Sequence, residues 1–561
     1  MKKIHLLIAM LVFTVTVNAQ APDITAFSPG SGSVGTTVTI TGTNFNATPA
    51  NNVVFFGATR ANVTAASATS LSVSVPMGAT HDFISVLNSD TDLMTYSATK
   101  YIPTYSPNTG TITAEDFESA ISFPAVGAYS RVAIADLDGD SKPDFAMPGN
   151  EGIISILRNT STPGTLSCAP SIDLPARSSY TSYDISIGDI DSDGKPDLVS
   201  TYTIYNGSNF FSFVSVYRNT STPGSISFAE RLDFGGNVDG AKYSRIADID
   251  GDGKPDIIHT QPSTQKYVLR NTSTPGNISF DEPVYLNGPN VGAEDLQVGD
   301  LDGDGKPDLA FTSFLYGYVS VLRNTSEVGN ISFATYVNFP VATNFSEDLS
   351  IGDIDGDGML DITVVSWQFF ISLFRNISTP GTLAFEPSID IDTGVNSRSI
   401  PLGDIDGDGK LDMATQDFGY HNMFLYKNQS SAGNISFADK VVIPGDMEGL
   451  QIADVDGDGI PELVGVRPGT LFIFKNSPAG LSVSEVEDVS GFSVYPNPVK
   501  DVLNISSQKA VEKVEIYSPA GQLVLMETHK NQINMDALPA GIYMVKVISA
   551  KKTETFKVIK K

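Results

Sequence analysis

Between residues 111 and 480 the apolar positions fall in short runs of alternating character, each broken by a cluster of Gly, Pro, Asn and Asp. One stretch shows the pattern: Leu296, Val298 alternate with polar neighbours, Asp308-Leu-Ala-Phe follows an acidic turn, and Tyr318-Val-Ser-Val-Leu leads into Arg323-Asn324. Period-two runs of Val, Ile, Leu, Tyr and Phe bounded by turn formers predict short antiparallel strands, four to each such stretch. The whole stretch then repeats. Its turn recurs as Arg-Asn-Thr-Ser-Thr-Pro-Gly from Arg158, Arg218 and Arg270, with looser copies from Arg323, Arg375, Lys427 and Lys475. Pro fixes φ and the following Gly is free to take positive φ, so each copy is a tight turn. Repeats of this length predict a stacked or circular array. Four strands in each of seven units fit a seven-bladed β-propeller, whose radial closure leaves only short edges; an open solenoid is the alternative.

Flanking this array the texture changes. In residues 20–100, which are rich in Thr and Ser, Val38, Ile40, Val53, Phe55, Leu71, Val73 and Val75 are read as alternating with polar residues, as the strands of a small sandwich do. Pro103, Pro107 and Gly110 mark 101–110 as a linker, 481–491 is a second linker, and 492–561 form a separate β-rich module. The fold class expected is all-β throughout. The N-terminus reads Met-Lys-Lys, an apolar run over 4–17, then Asn18-Ala19-Gln20. This is the pattern of a secretory signal peptide over 1–19, too short for a spanning helix. No later segment is long and apolar enough to span a bilayer.

Charge sharpens the reading. The chain has 64 Asp and Glu against 35 Lys and Arg, a net charge of -29. That balance argues against nucleic acid, which demands clustered basic residues. The last seventy residues run the other way and end basic. The single cysteine, Cys168, rules out an internal disulfide and occupies a repeat position that is Phe in other copies, so a structural thiol is expected.

Much of the acid lies in one motif. Seven times the chain writes Asp-x-Asp-x-Asp-Gly-x-x-Asp or a close variant, with carboxylates at positions one, three, five and nine. These are Asp136, Asp138, Asp140 and Asp144; Asp189, Asp191, Asp193 and Asp197; Asp248, Asp250, Asp252 and Asp256; Asp300, Asp302, Asp304 and Asp308; Asp353, Asp355, Asp357 and Asp361; Asp404, Asp406, Asp408 and Asp412; and Asp454, Asp456, Asp458 and Glu462. The copies begin 50 to 59 residues apart. Carboxylates alternating along a tight turn converge on one hard cation. Calcium accepts six to eight oxygens in flexible geometry, magnesium demands a stricter octahedron, and zinc prefers His or Cys. Up to seven calcium ions are therefore expected.

The repeats resemble the FG-GAP/VCBS family, whose calcium loops sit in propeller blades; the resemblance covers 111–480 and implies these same acids as metal ligands. Ser141 and Ser192 replace turn glycines, Glu462 replaces the last Asp of the seventh loop, and the Phe-Gly and Gly-Ala-Pro elements of the family are mostly missing. Pro22-Asp-Ile-Thr-Ala-Phe-Ser-Pro-Gly-Ser-Gly and Val38-Thr-Ile-Thr-Gly-Thr-Asn-Phe resemble an IPT/TIG domain, expected to act as a stalk or spacer. Phe492-Ser-Val-Tyr-Pro-Asn-Pro, Val514-Glu-Ile-Tyr-Ser-Pro-Ala-Gly-Gln and Leu538-Pro-Ala-Gly-Ile-Tyr resemble a type A sorting domain of the type IX secretion system. That resemblance implies passage through the outer membrane, then release or attachment at the cell surface.

Strand parity locates a ligand face. In a four-stranded antiparallel blade the acidic loop (after strand one) and the Pro-Gly turn (after strand three) share one face. The opposite face receives the variable stretches after strand two, which carry Tyr202, Tyr205 and Phe210, Tyr316 and Tyr318, Trp367, Phe369 and Phe370, and Phe418, Tyr420 and His421. Variable loops on a rigid scaffold are where recognition concentrates. A glycan or a protein is the expected extracellular partner, and the chain is expected to be monomeric. No Gly-x-Ser-x-Gly elbow or His-Glu-x-x-His pair occurs. Of the five histidines only His259 and His421 lie in the array. No enzyme is expected; a polysaccharide hydrolase or lyase with a hidden carboxylate pair is the alternative.

Overall fold

A computed structural model describes residues 20–105, 110–127, 131–149, 152–175, 182–205, 210–235, 243–260, 266–286, 293, 295–417, 422–477, 492–507, 511–519, 522–549 and 552–561. The segment 1–19, the whole second linker (481–491) and the loop bearing Phe418, Tyr420 and His421 lie outside them. The chain divides into two compact units, 1–478 and 479–561. Among the described residues all regular structure is β, apart from two single 3₁₀ turns at Pro49–Asn51 and Ala114–Asp116.

Seven four-stranded antiparallel sheets form the large part of the first unit. Blade four shows the plan: Leu296–Gly299, Asp308–Thr312, Tyr318–Leu322 and Val337–Pro340 pair in sequence order. The first strands of neighbouring blades touch one another, so they line the axis of the array. Apolar clusters fill the space between blades; one joins Phe145, Met147 and Leu157 of blade one to Val455, Val464 and Val466 of blade seven. The array is thus a closed propeller. Its closure borrows a strand: blade seven takes Glu448–Ala453, Glu462–Arg467 and Thr470–Phe474, and its outer strand is Ile121–Pro124, which precedes blade one. Phe117 pairs with Asn476 as Phe228 pairs with Asn219. The N-terminal strand therefore completes the last turn as well as the last sheet.

Residues 22–103 form the expected sandwich, with Val38, Ile40, Leu71, Val73 and Val75 in its core. Thr37–Thr43 alternates strictly between exposed and buried. The strand Asn52–Phe56 departs from that alternation, since all five of its residues are buried. Val54 and Phe56 enter the sandwich core, while Val53 and Phe55 join Leu87 and Met94 on the other side. Val53 and Phe55, expected to alternate with polar neighbours, have Val54 and Phe56 beside them instead, because both faces of this strand are covered. The second cover is the propeller.

The sandwich seats on the face of the ring that carries the acidic loops. Met94 N–H donates to Gly253 O (2.7 Å) and Tyr105 Oη–H to Ile405 O (3.0 Å). Gly78 abuts Pro143, Val53 faces Gly194, Phe83 and His81 lie against Gly299 and Gly352, and Met77 abuts Gly457. Every blade is touched. The stalk or spacer expected from sequence is instead a cap, and the strand Leu93–Pro103 runs into the segment read as a linker.

The second unit holds a three-stranded sheet (Phe492–Tyr495, Val502–Ser507, Gln532–Asn534) and a four-stranded one (Leu523–Thr528, Lys513–Tyr517, Gly541–Ser549, Lys552–Lys560). Val499, Leu503, Ile505, Val514, Ile516, Val545 and Val547 form its core.

Candidate metal centres and the opposite face

Each acidic loop is knotted by its own carboxylates. In blade four Asp300 Oδ1 accepts from Gly303 N–H (2.8 Å) and Asp304 N–H (3.1 Å), and its Oδ2 from Gly305 N–H (2.8 Å). Asp302 Oδ1 accepts from Asp304 N–H and Asp304 Oδ1 from Lys306 N–H, both at 3.0 Å. Positions four and six turn the chain back at positive φ, +75° at Gly303 and +87° at Gly305. Blades one and two place serine in this region, Ser141 at +68° and Ser192 at +59°. A side chain there costs about 1 kcal/mol, and both loops keep the bond to position six, Asp136 Oδ2 accepting from Ser141 N–H at 2.9 Å and Asp189 Oδ2 from Gly194 N–H at 2.8 Å.

Position nine has a second duty. Asp308 is fully buried; its Oδ2 accepts from Leu301 N–H (3.0 Å) and its Oδ1 from Asn324 N–H (2.7 Å), tying the loop to the end of strand three. Glu462 does the first of these jobs in blade seven, accepting from Val455 N–H at 2.9 Å. Carboxylate oxygens of Asp136, Asp138 and Asp144, and of Asp189, Asp191 and Asp197, lie within 4.8 Å of one another. In blades three, four and five the convergent sets are positions one, three and five: Asp248, Asp250, Asp252; Asp300, Asp302, Asp304; Asp353, Asp355, Asp357. All-oxygen donor sets of this kind have the chemistry to hold a hard metal ion.

Electrostatics says the same. Burial first, and neighbouring carboxylates next, push these acids up while loop N–H groups pull them down. Asp136 and Asp404 rise to about 6, Asp248, Asp308, Asp361 and Asp454 to about 7, and Asp144 to about 8. Converging charge of one sign is relieved by a cation. Part of that cation is built in, and the sequence reading overlooked it. The basic residue closing strand three reaches back to positions three and five: Arg158 to Asp138 and Asp140 (both 2.5 Å), Arg375 to Asp355 (2.8 Å) and Asp357 (2.7 Å), and likewise Arg270, Lys427 and Lys475.

The asparagine beside it was read only as a turn residue. Its side chain donates to the loop of the preceding blade: Asn219 to Leu137 O, Asn271 to Ile190 O, Asn324 to Ile249 O, Asn376 to Leu301 O, Asn428 to Ile354 O, Asn476 to Ile405 O and, closing the circle, Asn159 to Val455 O. The signal was present in sequence as an invariant residue within the repeat. A further clasp lies near the axis, where Arg131 contacts Asp348 (2.9 Å) and Asp295 (3.4 Å), and Arg245 contacts Asp295 (2.7 Å) and Asp184 (3.1 Å), linking blades one to five.

The opposite face divides the aromatic candidates. Tyr202 is buried, stacked on Phe213 with Arg231 5.6 Å from its ring, and is a packing residue. The side chains of Tyr205 and Phe210 lie outside the described residues. Tyr316 is 56% exposed and stacks on half-buried Tyr318 at 6.1 Å; Phe369 is 47% exposed. Trp367 is half-buried, with the Arg398 guanidinium 5.3 Å from its ring and Phe314 at 6.5 Å. Phe345 (+65°) and Phe369 (+71°) both hold positive φ. His259 sits within strand two rather than after it, fully buried, and burial holds its imidazole down to about 3. Cys168 is half-buried against the blade one–blade seven core, its thiol pushed up to about 12 by burial.

Residues 22–112 match the IPT/TIG domain, 136–200 and 300–364 the FG-GAP-like repeat, and 493–561 the secretion system C-terminal sorting domain. No curated protein matches the chain. Among solved structures it is similar to an auxiliary nutrient binding protein from Bacteroides thetaiotaomicron VPI-5482 (13% identity, 82% of this chain and 98% of that one, TM-score 0.28). It is also similar to a protein from Lactobacillus plantarum (15%, 70% and 97%, TM-score 0.38) and to BBS1N crystallised with ARL6DN (12%, 66% and 99%, TM-score 0.42).

Proposed function

We propose that this chain, which carries an IPT/TIG domain, FG-GAP-like repeats and a secretion sorting domain, is a surface or released binding protein. Its ring is stiffened by calcium and recognises a glycan through the aromatic patch of blades four and five. The sorting domain marks export by type IX secretion, with 1–19 as the signal peptide for the inner membrane. The observation that carries the reading is the seating of the IPT/TIG domain. It covers the acidic-loop face, and the patch of Tyr316, Trp367 and Phe369 lies on the other face. Exposed tyrosine and phenylalanine rings offer apolar faces for stacking on sugar rings, and two aromatic residues held at positive φ are the kind of local strain that binding sites retain. Calcium supports the ring from the far side and takes no part in the contact. Binding, rather than turnover, is the role.

A glycan array probed with the purified protein, once with calcium and once with EDTA, tests this. Binding to a defined sugar class that is lost in Phe369→Ala and Tyr316→Ala supports it. Silence from a folded, calcium-loaded protein overturns the glycan reading and leaves a protein partner, to be sought by pull-down.

A further inference from the structure

Beneath the IPT/TIG cap the ring keeps a chamber of about 980 Å³, bounded by the first strands of the blades and by the cap itself. Its wall mixes charged and apolar groups: the loop acids Asp189, Asp248, Asp250, Asp252 and Asp300, assigned above to calcium, reach it from the blades, and between them runs an aliphatic set fixed by repetition. The residue two places before each acidic loop is aliphatic, among them Ile187, Ile246, Ile351, Leu402 and Ile452, and these line the space. Phe83 and Met94 of the cap add to it.

The charges around it are unequal in their pairing. At the floor, Asp184, Asp295 and Asp348 are engaged by Arg131 and Arg245. At the cap, Lys100 lines the chamber with its Nζ 5.3 Å from the Phe83 ring, and among the described residues no carboxylate lies within 4.0 Å of that ammonium. Asp82, the nearest acid acting on it, has Oδ1 engaged by Phe83 N–H at 2.8 Å. Burial and the facing Arg245 hold Lys100 below its usual range, and burial and Lys100 do the same to His81. With the loop acids taken up by calcium and the floor acids by arginine, an ammonium without an ion pair beside the Phe83 ring calls for an anion with an apolar body.

We infer that this chamber binds a small apolar monocarboxylate, its chain against the aliphatic wall and its carboxylate on Lys100. The site is distinct from the aromatic patch and does not depend on it.

Calorimetric titration of the whole protein in calcium, with octanoate as the probe and 1-octanol and n-octylammonium as neutral and cationic counterparts, decides the matter. The expected result is saturable octanoate binding, with octanol weaker and octylammonium silent. Lys100→Gln should weaken octanoate at least tenfold and leave octanol unchanged, while Lys100→Arg keeps most of the affinity. Octylammonium binding as tightly as octanoate overturns the assignment, as does octanoate binding untouched by Lys100→Gln, or no binding by any of the three. Should Lys100→Gln fail to fold, the ligand series and Lys100→Arg still decide.

Discussion

The two faces of the ring are built by opposite rules. On the acidic-loop face one motif is written seven times, and nearly every contact is local: carboxylates close their own turn, the strand-three cation folds back onto them, and an asparagine reaches one blade over. On the other face no two loops agree, aromatic rings crowd into blades four and five, and two of those residues hold positive φ. Repetition supplies a scaffold that admits only substitutions keeping the loop's bonds, such as Ser141 and Glu462, while the irregular face varies in length and sequence from blade to blade. The IPT/TIG domain seats on the regular face, where it touches every blade.

If metal maintains the regular face, removing it should produce the largest effect. Extracellular calcium sites often bind at about 0.1–1 mM, and tenfold saturation adds on the order of 1.4 kcal/mol per site. Several sites acting together predict a melting temperature lower by roughly 10 °C or more in EDTA. Scanning calorimetry checks this, and an unchanged melt removes the structural role of the metal.

Acidity should then reverse sign between the two states. Without metal, the loop acids have folded values raised to about 6 to 8 (Asp136, Asp248, Asp308, Asp144). A raised folded pKa contributes stability that is complete below the unfolded value near 4 and is lost as pH climbs through 6 to 8. The EDTA-treated protein should therefore melt several degrees higher at pH 5 than at pH 8. With calcium, protons compete with the metal, so stability should instead rise over the same range. Parallel curves in the two buffers would mean that the loops do not hold the ion.

A smaller effect separates ring closure from metal binding. Asn324 donates to Ile249 O and Pro307 O and accepts from Ser326 N–H, the first and last of these bonds buried and the second partly so. Asn324→Ala strands these groups at a cost of about 2–3 kcal/mol, the same with or without calcium. A loss seen only with calcium would make the asparagine part of the metal site.

Most of the regular face was legible because its chemistry is local. Nine residues specify a loop, and Pro-Gly specifies a turn, with no distant partner required. The sandwich core was legible for the same reason at Val38, Ile40, Leu71 and Val73, where one face is buried and the other wet. Reading failed where the partner is remote in sequence. Val53 and Phe55 belong to a strand that is apolar on both faces and serve a second interface, and nothing near Ile121–Pro124 announces that its partner is Thr470–Phe474. The aromatic loops show the limit most clearly. The sequence reading places both Tyr202 and Tyr316 after strand two, but strand two of blade two runs on through Tyr205 and buries Tyr202 within the sheet, while Tyr316 lies beyond a strand that ends at Thr312 and is exposed.

Phe369 offers the finest test of the irregular face. At +71° its backbone is strained by about 1 kcal/mol for an L-residue, and with 47% exposure its ring covers little of the core. Phe369→Gly removes the strain but also adds freedom to the unfolded chain, which offsets most of the gain. The melting temperature should therefore move by no more than about a degree or two, upward if at all, while glycan binding disappears. The paired change Phe345→Gly should behave differently, because Phe345 packs edge-on against Phe314 at 4.9 Å and donates its N–H to Phe314 O at 2.7 Å. There the lost ring contact outweighs the relieved strain, and stability should fall by about 1 kcal/mol. If Phe369→Gly proves as costly as Phe345→Gly, the exposed ring is structural after all, and the irregular face loses its claim to a strained residue kept for recognition.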